Sequence, residues 1–283
     1  MVPPVWRCRD RVVDYCDHPL IMGIVNVTPD SFSDGGRYQD SGQAIDHGRQ
    51  LLAEGADILD IGGESTRPGA APVPLDEELR RVMPVISALA PAGAVLSIDT
   101  RKAAVARAAL EAGAHIVNDV SALGHDPAMM DVVRATGAGA ILMHMRGEPG
   151  TMQNDPKYDD VVAEVHAYLV DRVAACQKAG IAADRLAVDP GMGFGKTAAH
   201  NVALLVALQA VAIAGYPLVV GLSRKRFIGM ITGRSVDLRL AGTLAATVVG
   251  VQHGAHIVRV HDVAETRDVL AVLAALIEAG GRA

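Results

Sequence analysis

Polar side chains follow almost every short apolar run in this sequence. They belong to the residue types that donate hydrogen bonds, accept them or carry charge. The set comprises Asn26, Asp60 with Gly62 and Gly63, Asp99, Asn118 with Asp119, His144, Asp189, Ser223, and Arg259 with His261. Any one of them could cap the helix that follows, which is the commoner role of a polar residue at such a junction. A capping role for the whole set is hard to sustain, so we interpret it as a candidate binding site.

Two carboxylates and one amide in this set suit a flat, nitrogen-rich ring. Asp99 and Asp189 each offer two acceptor oxygens, which match a ring N–H beside an amino group. The amide of Asn118 can donate to and accept from a neighbouring edge of such a ring. The same carboxylates would also suit paired acid–base catalysis, and the residues alone leave both uses open.

Cationic residues collect after the last two apolar runs. Residues 223–226 read SRKR, and Arg259 and His261 end the final run. The net charge of the chain is −6, so this cluster predicts a local pocket for an anionic group. Arg67, in GGESTRPGA, could approach that pocket from the far side.

The glycine-rich segment PGMGFGKT at 190–197 resembles two phosphate-binding motifs and satisfies neither. A P-loop requires glycine where this chain has Pro190. A dinucleotide loop requires an acidic residue about 20 positions on, and none follows Lys196 before Asp237. We interpret the segment as a loop that lets its backbone and Phe194 approach a flat ligand. The sequence also lacks HExxH and zinc-site spacing, which argues against a protein-caged transition metal.

Short apolar runs alternate with segments of helical periodicity. The runs are LIMGIVN, DILDIGG, AVLSID, AHIVND, AILMH, LAVD, LVVGLS and IVRVH, and their continuity is typical of parallel strands buried on both faces. Helical periodicity is clear at 44–55 and 161–179, and Gly55, Gly113 and Gly180 stand where helices should stop.

Alternation of eight strands with eight helices predicts an α/β fold, a (β/α)8 TIM barrel. The rival fold, an open doubly wound sheet, lacks its GxGxxG fingerprint at the first strand end. We predict one domain over 1–283, with 1–20 as a short N-terminal arm or hairpin and 21–283 as the barrel. The carboxyl ends of barrel strands carry the active site, so the polar set should meet there.

Composition limits the partners and the compartment. Half of the 283 residues are hydrophobic and the pI is near 5.9, which argues against nucleic-acid and acidic-membrane binding. Three cysteines without a CxxC pair, after an N-terminal segment interrupted by charges, favour a reducing cytoplasm and no secretory leader. The uncharged stretch 202–223 is long enough to mimic a membrane span. Because Gln209, Gly215 and Pro217 divide it, we interpret it as a buried helix, a turn and a strand.

These motifs together resemble the dihydropteroate synthase family. The resemblance covers essentially the whole chain in the family's order, through GIVNVTPDSFSDGG, DIGGESTRPGA, SIDT, IVNDVSAL, LMHMRGEPGTMQ, VDPGMGFGKT, GLSRKRFIG and RVHDV. It implies an alkyl transfer that joins (7,8-dihydropterin-6-yl)methyl diphosphate to 4-aminobenzoate, giving 7,8-dihydropteroate and pyrophosphate in folate biosynthesis. It also implies Mg²⁺ as the cofactor and a homodimer formed through late helices such as 236–253.

The resemblance implies a role for each matching residue. The pterin would be held by Asp99, Asn118, Asp189 and Lys225. Asn26 would bind the magnesium, and the diphosphate would be held by Thr66, Arg259 and His261. The 4-aminobenzoate pocket would be shaped by Phe32, Arg67, Pro68, Ser223, Lys225 and Arg226. Catalysis would rest on Asn26, Arg67, Lys225, Arg259 and His261.

By this resemblance, the stretch GIVNVTPDSFSDGG would be the first barrel strand followed by a mobile loop. Asn26 would be the metal ligand at its root and Phe32 an aromatic lid toward the amine pocket. Some family members have serine where this chain has Arg226, a difference that affects the local benzoate contact. Two other interpretations remain: a pterin-dependent methyltransferase barrel, which would not need the cationic cluster, and a non-catalytic pterin-binding paralogue, whose first two loops should have decayed.

Overall fold

The computed structural model describes residues 5–28, 37–65 and 70–280, with the backbone alone at 37–40. Its chain opens with an antiparallel hairpin of β1 (Val5–Cys8) and β2 (Arg11–Asp14). The strands that follow are β3 (Leu20–Asn26), β4 (Ile58–Gly62), β5 (Val95–Asp99), β6 (Ile116–Asp119), β7 (Gly139–Met143), β8 (Leu186–Asp189), β9 (Val219–Gly221) and β10 (Ile257–Val260). All eight predicted apolar runs are therefore strands, with ends that differ by one or two residues.

The eight strands form one parallel sheet in the order β8-β7-β6-β5-β4-β3-β10-β9. A parallel bridge between Val188 on β8 and Leu218, just before β9, brings the two outer strands together. The backbone N–H of Val188 also donates to the carbonyl of Pro217 at 2.9 Å. The sheet thus closes on itself, which confirms the predicted (β/α)8 barrel with an N-terminal hairpin.

Helices cover the outside of the barrel. They are α1 (Arg37–Ala53), α2 (Leu75–Leu89), α3 (Ala103–Glu111), α4 (Met129–Thr136), α5 (Val161–Lys178), α6 (Ala198–Val206), α7 (Leu208–Val211), α8 (Arg226–Thr232), α9 (Leu240–Gln252) and α10 (Val263–Gly280). The described residues thus form ten α-helices instead of the eight expected, because short α7 and α8 are additions to the repeating unit. Gly55, Gly113 and Gly180 follow α1, α3 and α5 at φ of 99°, 112° and 89°, as predicted for helix stops.

The N-terminal hairpin closes the amino end of the barrel. Trp6 is fully buried with Cys8 among inward-facing side chains of the barrel strands, and its Nε1 donates to the carbonyl of Arg185 at 3.0 Å. Gly139 on β7 accommodates this packing, since a Cβ there would overlap the sulfur of Cys8. A second apolar layer lies between the strands and the helices. Within the described ranges, the hairpin thus covers the amino end of the barrel and leaves the cavity at the carboxyl ends of the strands.

Residues 202–223 contain the end of α6, all of α7, a turn and β9, as predicted. In the part of the chain that the structure describes, no helix has both the length and the apolar character needed to cross a membrane.

Candidate active site

Four neighbouring strands place predicted site residues on one level of the barrel. Cα partners run from Asn26 on β3 to Gly62 on β4, then to Asp99 on β5 and Asn118 on β6. Gly62 carries no side chain, and a Cβ there would lie 3.3 Å from the Cβ of Asp99. The glycine therefore leaves room for the carboxylate of Asp99 at the mouth.

A cavity opens at the mouth, and six of the predicted residues line it. Its walls are formed by Asp99, Asn118, Val120, Met143, Asp189, Gly191, Met192, Phe194, Gly221, Lys225 and Arg259. The lining is typical of a small-molecule site, with apolar walls and a few polar groups that fix orientation. The sequence interpretation missed Val120, Met143 and Met192, because an apolar residue that lines a pocket looks in sequence like any core residue.

Asp60 links the cavity residues from below, a role that the sequence interpretation did not assign to it. It is fully buried, and its Oδ2 accepts hydrogen bonds from Arg259 Nε at 2.6 Å and from Asn118 Nδ2 at 3.0 Å. Its other oxygen, Oδ1, has no hydrogen-bond partner within the described ranges. The position of Asp60 in the middle of the apolar run DILDIGG was the available signal, since a charge there must face the barrel interior.

The guanidinium of Arg259 lies between the carboxylates of Asp60 and Asp99. Besides its bond to Asp60, a terminal nitrogen of its guanidinium donates to Asp99 Oδ2 at 2.8 Å. Burial raises the pKa of Asp99 to about 7, Arg259 opposes that rise, and Asp60 adds to it. Asp99 is therefore a carboxylate for which additional hydrogen-bond donors are strongly favourable.

Asp189 and Lys225 both line the cavity, and each affects the pKa of the other. Burial raises the pKa of Asp189, against the effects of a 2.7 Å hydrogen bond from the Gly191 N–H and of Lys225. Burial and Arg259 lower the pKa of Lys225 to about 8, against the opposing charges of Asp189 and Asp99. Lys225 Nζ lies 4.3 Å from the centroid of the Phe194 ring, within cation–π range. The cavity thus has an acidic side, a basic group and an aromatic face.

Ser223 and His261 lie beside each other at the ends of the last two strands. The Oγ of Ser223 lies 2.9 Å from Nδ1 of His261 and accepts from its backbone N–H at 3.3 Å. The loops that carry these residues are joined by an ion pair, in which Arg224 donates to Asp262 at 3.2 and 2.5 Å. Arg226 is exposed and begins α8. Asn26, Ser223, Arg226 and His261 do not line the ring-sized cavity.

The predicted residues Phe32, Thr66, Arg67 and Pro68 lie outside the described residues. Ion pairs hold the described segment that comes directly before residues 66–69. Glu64 is paired with Arg101 at 3.1 Å and with Lys102, which also contacts the fully buried Glu78.

The fold and site correspond to a known class of enzyme. The family model described as "Pterin binding enzyme" matches residues 22–261, which include most of the barrel. A barrel mouth with acidic, amide and aromatic groups around one cavity is consistent with that description. Fold and match together define a pterin-binding barrel enzyme.

More specific similarity comes from relatives and solved structures. A dihydropteroate synthase of Neisseria meningitidis serogroup C is 51% identical over 280 residues, 98% of this chain and 99% of the relative. Xanthomonas albilineans dihydropteroate synthase with 4-aminobenzoic acid has a TM-score of 0.91 at 51% identity, covering 96% of this chain and 98% of that one. Burkholderia cenocepacia dihydropteroate synthase complexed with 7,8-dihydropteroate has a TM-score of 0.90 at 45% identity, covering 100% of both chains. The chain belongs to the dihydropteroate synthase family, which confirms the resemblance in its motifs.

Proposed function

We propose that the chain joins (7,8-dihydropterin-6-yl)methyl diphosphate to 4-aminobenzoate, releasing 7,8-dihydropteroate and pyrophosphate in folate biosynthesis. The observation that carries this proposal is the convergence of Asp99, Asn118, Asp189 and Lys225 on one cavity. Relatives of the same fold with bound 4-aminobenzoic acid and 7,8-dihydropteroate support it.

The cavity groups complement the edges of a pterin. A pterin presents ring N–H and amino donors on one edge and a carbonyl oxygen on another. Asp189 already accepts one N–H through Oδ1, so its Oδ2 is assigned to the donor edge. Lys225 is assigned to the carbonyl, and Asn118, oriented by Asp60, to a neighbouring ring nitrogen. These contacts aim the exocyclic methylene at the mouth, where the reaction takes place.

The reaction breaks one bond and forms another. The C–O bond between the exocyclic methylene and the diphosphate breaks first, and its electron pair leaves with pyrophosphate. The amine nitrogen of 4-aminobenzoate then forms the C–N bond and releases one proton to solvent. Because an aniline nitrogen is largely unprotonated at neutral pH, the step needs no dedicated strong base. Asp99 stabilises the positive charge that develops on the pterin, and positioning supplies much of the remaining rate.

We assign the diphosphate to Arg259 and His261 at the end of the last strand, β10, together with Thr66. The positions fit, since barrels most often bind phosphate in the loops after the seventh and eighth strands. The proposal also gives Arg67 to the far side of the mouth and Phe32, Pro68, Ser223 and Arg226 to the 4-aminobenzoate pocket. These roles rest on the matching motifs.

Mg²⁺ is the cofactor that we propose for the diphosphate. Magnesium prefers oxygen ligands and keeps waters and substrate phosphates around it. Asn26 supplies one amide oxygen at the end of β3, and the described residues contain no group of three side chains suited to caging a metal. This donor set fits an ion that takes its other ligands from diphosphate and water. When bound, the ion supplies neutralisation of the leaving pyrophosphate.

The direct test is pyrophosphate release from the two substrates with magnesium, with chromatography of the pteroate product. Lys225→Met and Asp189→Asn should lose pterin binding in calorimetry while keeping the thermal unfolding midpoint within a few degrees. Lys178→Met and Asp171→Asn, at exposed positions of α5, are the matched controls and should behave as the original chain. Equal pyrophosphate and product establish the reaction. Pterin binding without product, beside a working control enzyme, overturns it in favour of a non-catalytic pterin-binding protein.

We also propose a homodimer that covers exposed apolar side chains near the late helices. Met230 and Ile231 on α8 and Leu238 after it are 62%, 63% and 62% exposed, and exposed apolar side chains of this size are the kind that interfaces cover. Sedimentation should give the mass of two chains, and Ile231→Glu should give one. Val12→Glu, on the hairpin that closes the other end of the barrel, is the control and should leave the mass at two chains. A monomer at working concentration would contradict the proposal.

A cytoplasmic location is proposed on the state of the cysteines. Cys8 and Cys176 are buried and form no disulfide bond. A reducing compartment is the environment in which such thiols persist. Fractionation of cells that express the chain would test this location.

A further inference from the structure

Lys196, the lysine of the glycine-rich segment, is buried in the protein and is not among the residues that line the substrate cavity. It is 3% exposed, and no carboxylate among the described residues lies within ion-pair distance of it. Its Nζ lies 2.8 Å from His144 Nδ1 and donates to the carbonyls of Gly191 and Phe194, both at 3.0 Å. A lysine that resembles a phosphate ligand in sequence is therefore a ligand of its own loop.

The contacts of Lys196 satisfy its hydrogen-bonding capacity. An ammonium group has three N–H donors, and the three acceptors lie at normal hydrogen-bond distances. His144 must be neutral at Nδ1 to accept such a bond, and burial together with Lys196 lowers its pKa to about 3. The His144 ring is in turn held edge-on against Tyr168, with ring centroids 4.8 Å apart. Lys196 is thus built into a fixed polar cluster.

The same loop is fixed at further points around Lys196. Tyr158 donates to the carbonyl of Gly195 at 2.9 Å, and Asn201 accepts from the N–H of Gly193 at 2.6 Å. Gly191 and Gly195 adopt φ of 65° and 62°, where a Cβ would overlap the carbonyl oxygens of His144 and Arg146. The loop therefore has one backbone path, and the buried amine of Lys196 supports it from the inside. Burial lowers the pKa of this amine to about 7.

This path determines where Lys225 can lie. The Phe194 ring is 4.3 Å from Lys225 Nζ, and a Cβ on Gly193 would be 3.2 Å from Lys225 Cδ. The loop also supplies Gly191, Met192 and Phe194 to the cavity wall. Deepening the proposed function, on which this step rests, we propose that Lys196 is a positioning residue: by binding the carbonyls of Gly191 and Phe194, it holds the loop that places Phe194 and Lys225 against the pterin ring.

Loss of this support should affect the two substrates unequally. Lys196→Met keeps the length and apolar stem of the side chain and removes its donors. The released loop should let Phe194 and Lys225 move, and the pterin dissociation constant should rise by about tenfold or more. An effect of this size is expected because a misplacement of roughly 1 Å can lower a reaction rate by up to ~100-fold. The KM for 4-aminobenzoate should change by less than about threefold, because the proposed reaction gives that pocket to Phe32, Pro68, Ser223 and Arg226, which lie outside the loop that Lys196 supports.

The test combines binding and turnover. Calorimetry with pterin-6-carboxylate, which has no leaving group, gives a dissociation constant that does not depend on catalysis. Steady-state rates give KM for each substrate and kcat. We expect Lys196→Met to raise the pterin dissociation constant and the KM of the pterin diphosphate together. Lys178→Met, the exposed control, should change neither. If the original chain binds pterin and makes no product, the proposed function fails. The calorimetric comparison of Lys196→Met with the original chain still decides the role of Lys196 in that case.

A second pair of variants keeps the test decisive if Lys196→Met does not fold. His144→Asn retains an acceptor near the position of Nδ1, whereas His144→Leu has similar size and no acceptor. His144→Leu should weaken pterin binding in the same direction, and His144→Asn should restore it to within about threefold of the original chain, since a supporting hydrogen bond is preserved. A folded Lys196→Met or His144→Leu variant with the original pterin dissociation constant would overturn the proposal.

Discussion

The guanidinium of Arg259 bridges Asp60 and Asp99 on neighbouring strands, at 2.6 and 2.8 Å. Asn118 donates to the same oxygen of Asp60 at 3.0 Å. Asp60 therefore orients a cation and an amide at once from below the cavity floor. Its charge is completely buried, so its value to the protein depends on these two partners.

Replacement of Asp60 by asparagine should destabilise the fold as well as the site. Removing one partner of a buried ion pair leaves the other poorly compensated, and we expect the free energy of unfolding to fall by about 3 kcal/mol. Urea unfolding would measure the change. Asp184→Asn is the control: its bridge to Arg7 at 3.1 Å is partly exposed, and its loss should cost less than about 1 kcal/mol. Equal losses in the two variants would contradict the central role of Asp60.

Pterin affinity should fall as the pH rises through about 8. Burial and Arg259 lower the pKa of Lys225 to about 8, so its ammonium is present below that pH and is lost above it. Calorimetry with pterin-6-carboxylate across this range would measure the decline. The arginine in Lys225→Arg does not titrate in this range. Dividing the dissociation constant of the original chain by that of the variant at each pH therefore cancels the titration of the ligand itself. If both proteins show the same pH profile, Lys225 is not the group responsible.

Stability should fall with acid in a window set by His144. Burial and Lys196 lower the pKa of His144 from 6.5 to about 3, so the unfolded chain binds a proton there that the folded chain does not. The contribution is complete above pH 6.5 and is lost as the pH falls toward 3, at about 1.4 kcal/mol per pH unit. The unfolding free energy of His144→Asn should therefore depend less steeply on pH between 6.5 and 3, by about 1.4 kcal/mol per pH unit. Parallel curves would show that His144 protonates in the folded state. Burial also lowers the pKa values of His115 and His256. Both histidines are present in the original chain and in His144→Asn, so their effect cancels in the comparison.

Two glycines with similar backbone angles should tolerate alanine very differently. Gly191 has φ of 65°, and a Cβ there would overlap the carbonyl oxygen of His144. Gly233 has φ of 70°, and a Cβ there would point into open space, with nothing in the described ranges within 4 Å. Gly233→Ala should cost about 1 kcal/mol of backbone strain and leave pterin binding unchanged. Gly191→Ala should cost several times more, roughly 3 kcal/mol or above, and should weaken pterin binding. Equal unfolding midpoints would rule out the steric argument.

The barrel could be predicted because its signal is local. Each apolar run is short and continuous, and glycines such as Gly55 and Gly113 mark the helix ends. The polar residues at strand ends were also predictable as a set, because the carboxyl ends of barrel strands meet at one place. Asp99, Asn118 and Asp189 do line one cavity there.

The partners of those side chains were not predictable in the same way. Asp60 reaches Asn118 on β6 and Arg259 on β10, which lie 58 and 199 positions away. Such pairings depend on the stagger of the strands around the barrel, which sequence periodicity does not contain. Lys196 was hidden for another reason: its motif resembles a phosphate loop, and only the path of the backbone turns its Nζ inward. The motif by itself does not distinguish these two directions.

The closure of the barrel between β8 and β9 bears on how substrate and fold depend on each other. In the described part of the chain, that seam has a single bridge, Val188 with Leu218, whereas β3 and β4 share five paired positions. Asp189 follows directly on one side of the seam, and Lys225 follows β9 on the other. A pterin held by both side chains would join the two strands where backbone pairing is thinnest. The substrate would then act as part of the barrel wall, and amide hydrogen exchange at the seam would report occupancy of the site.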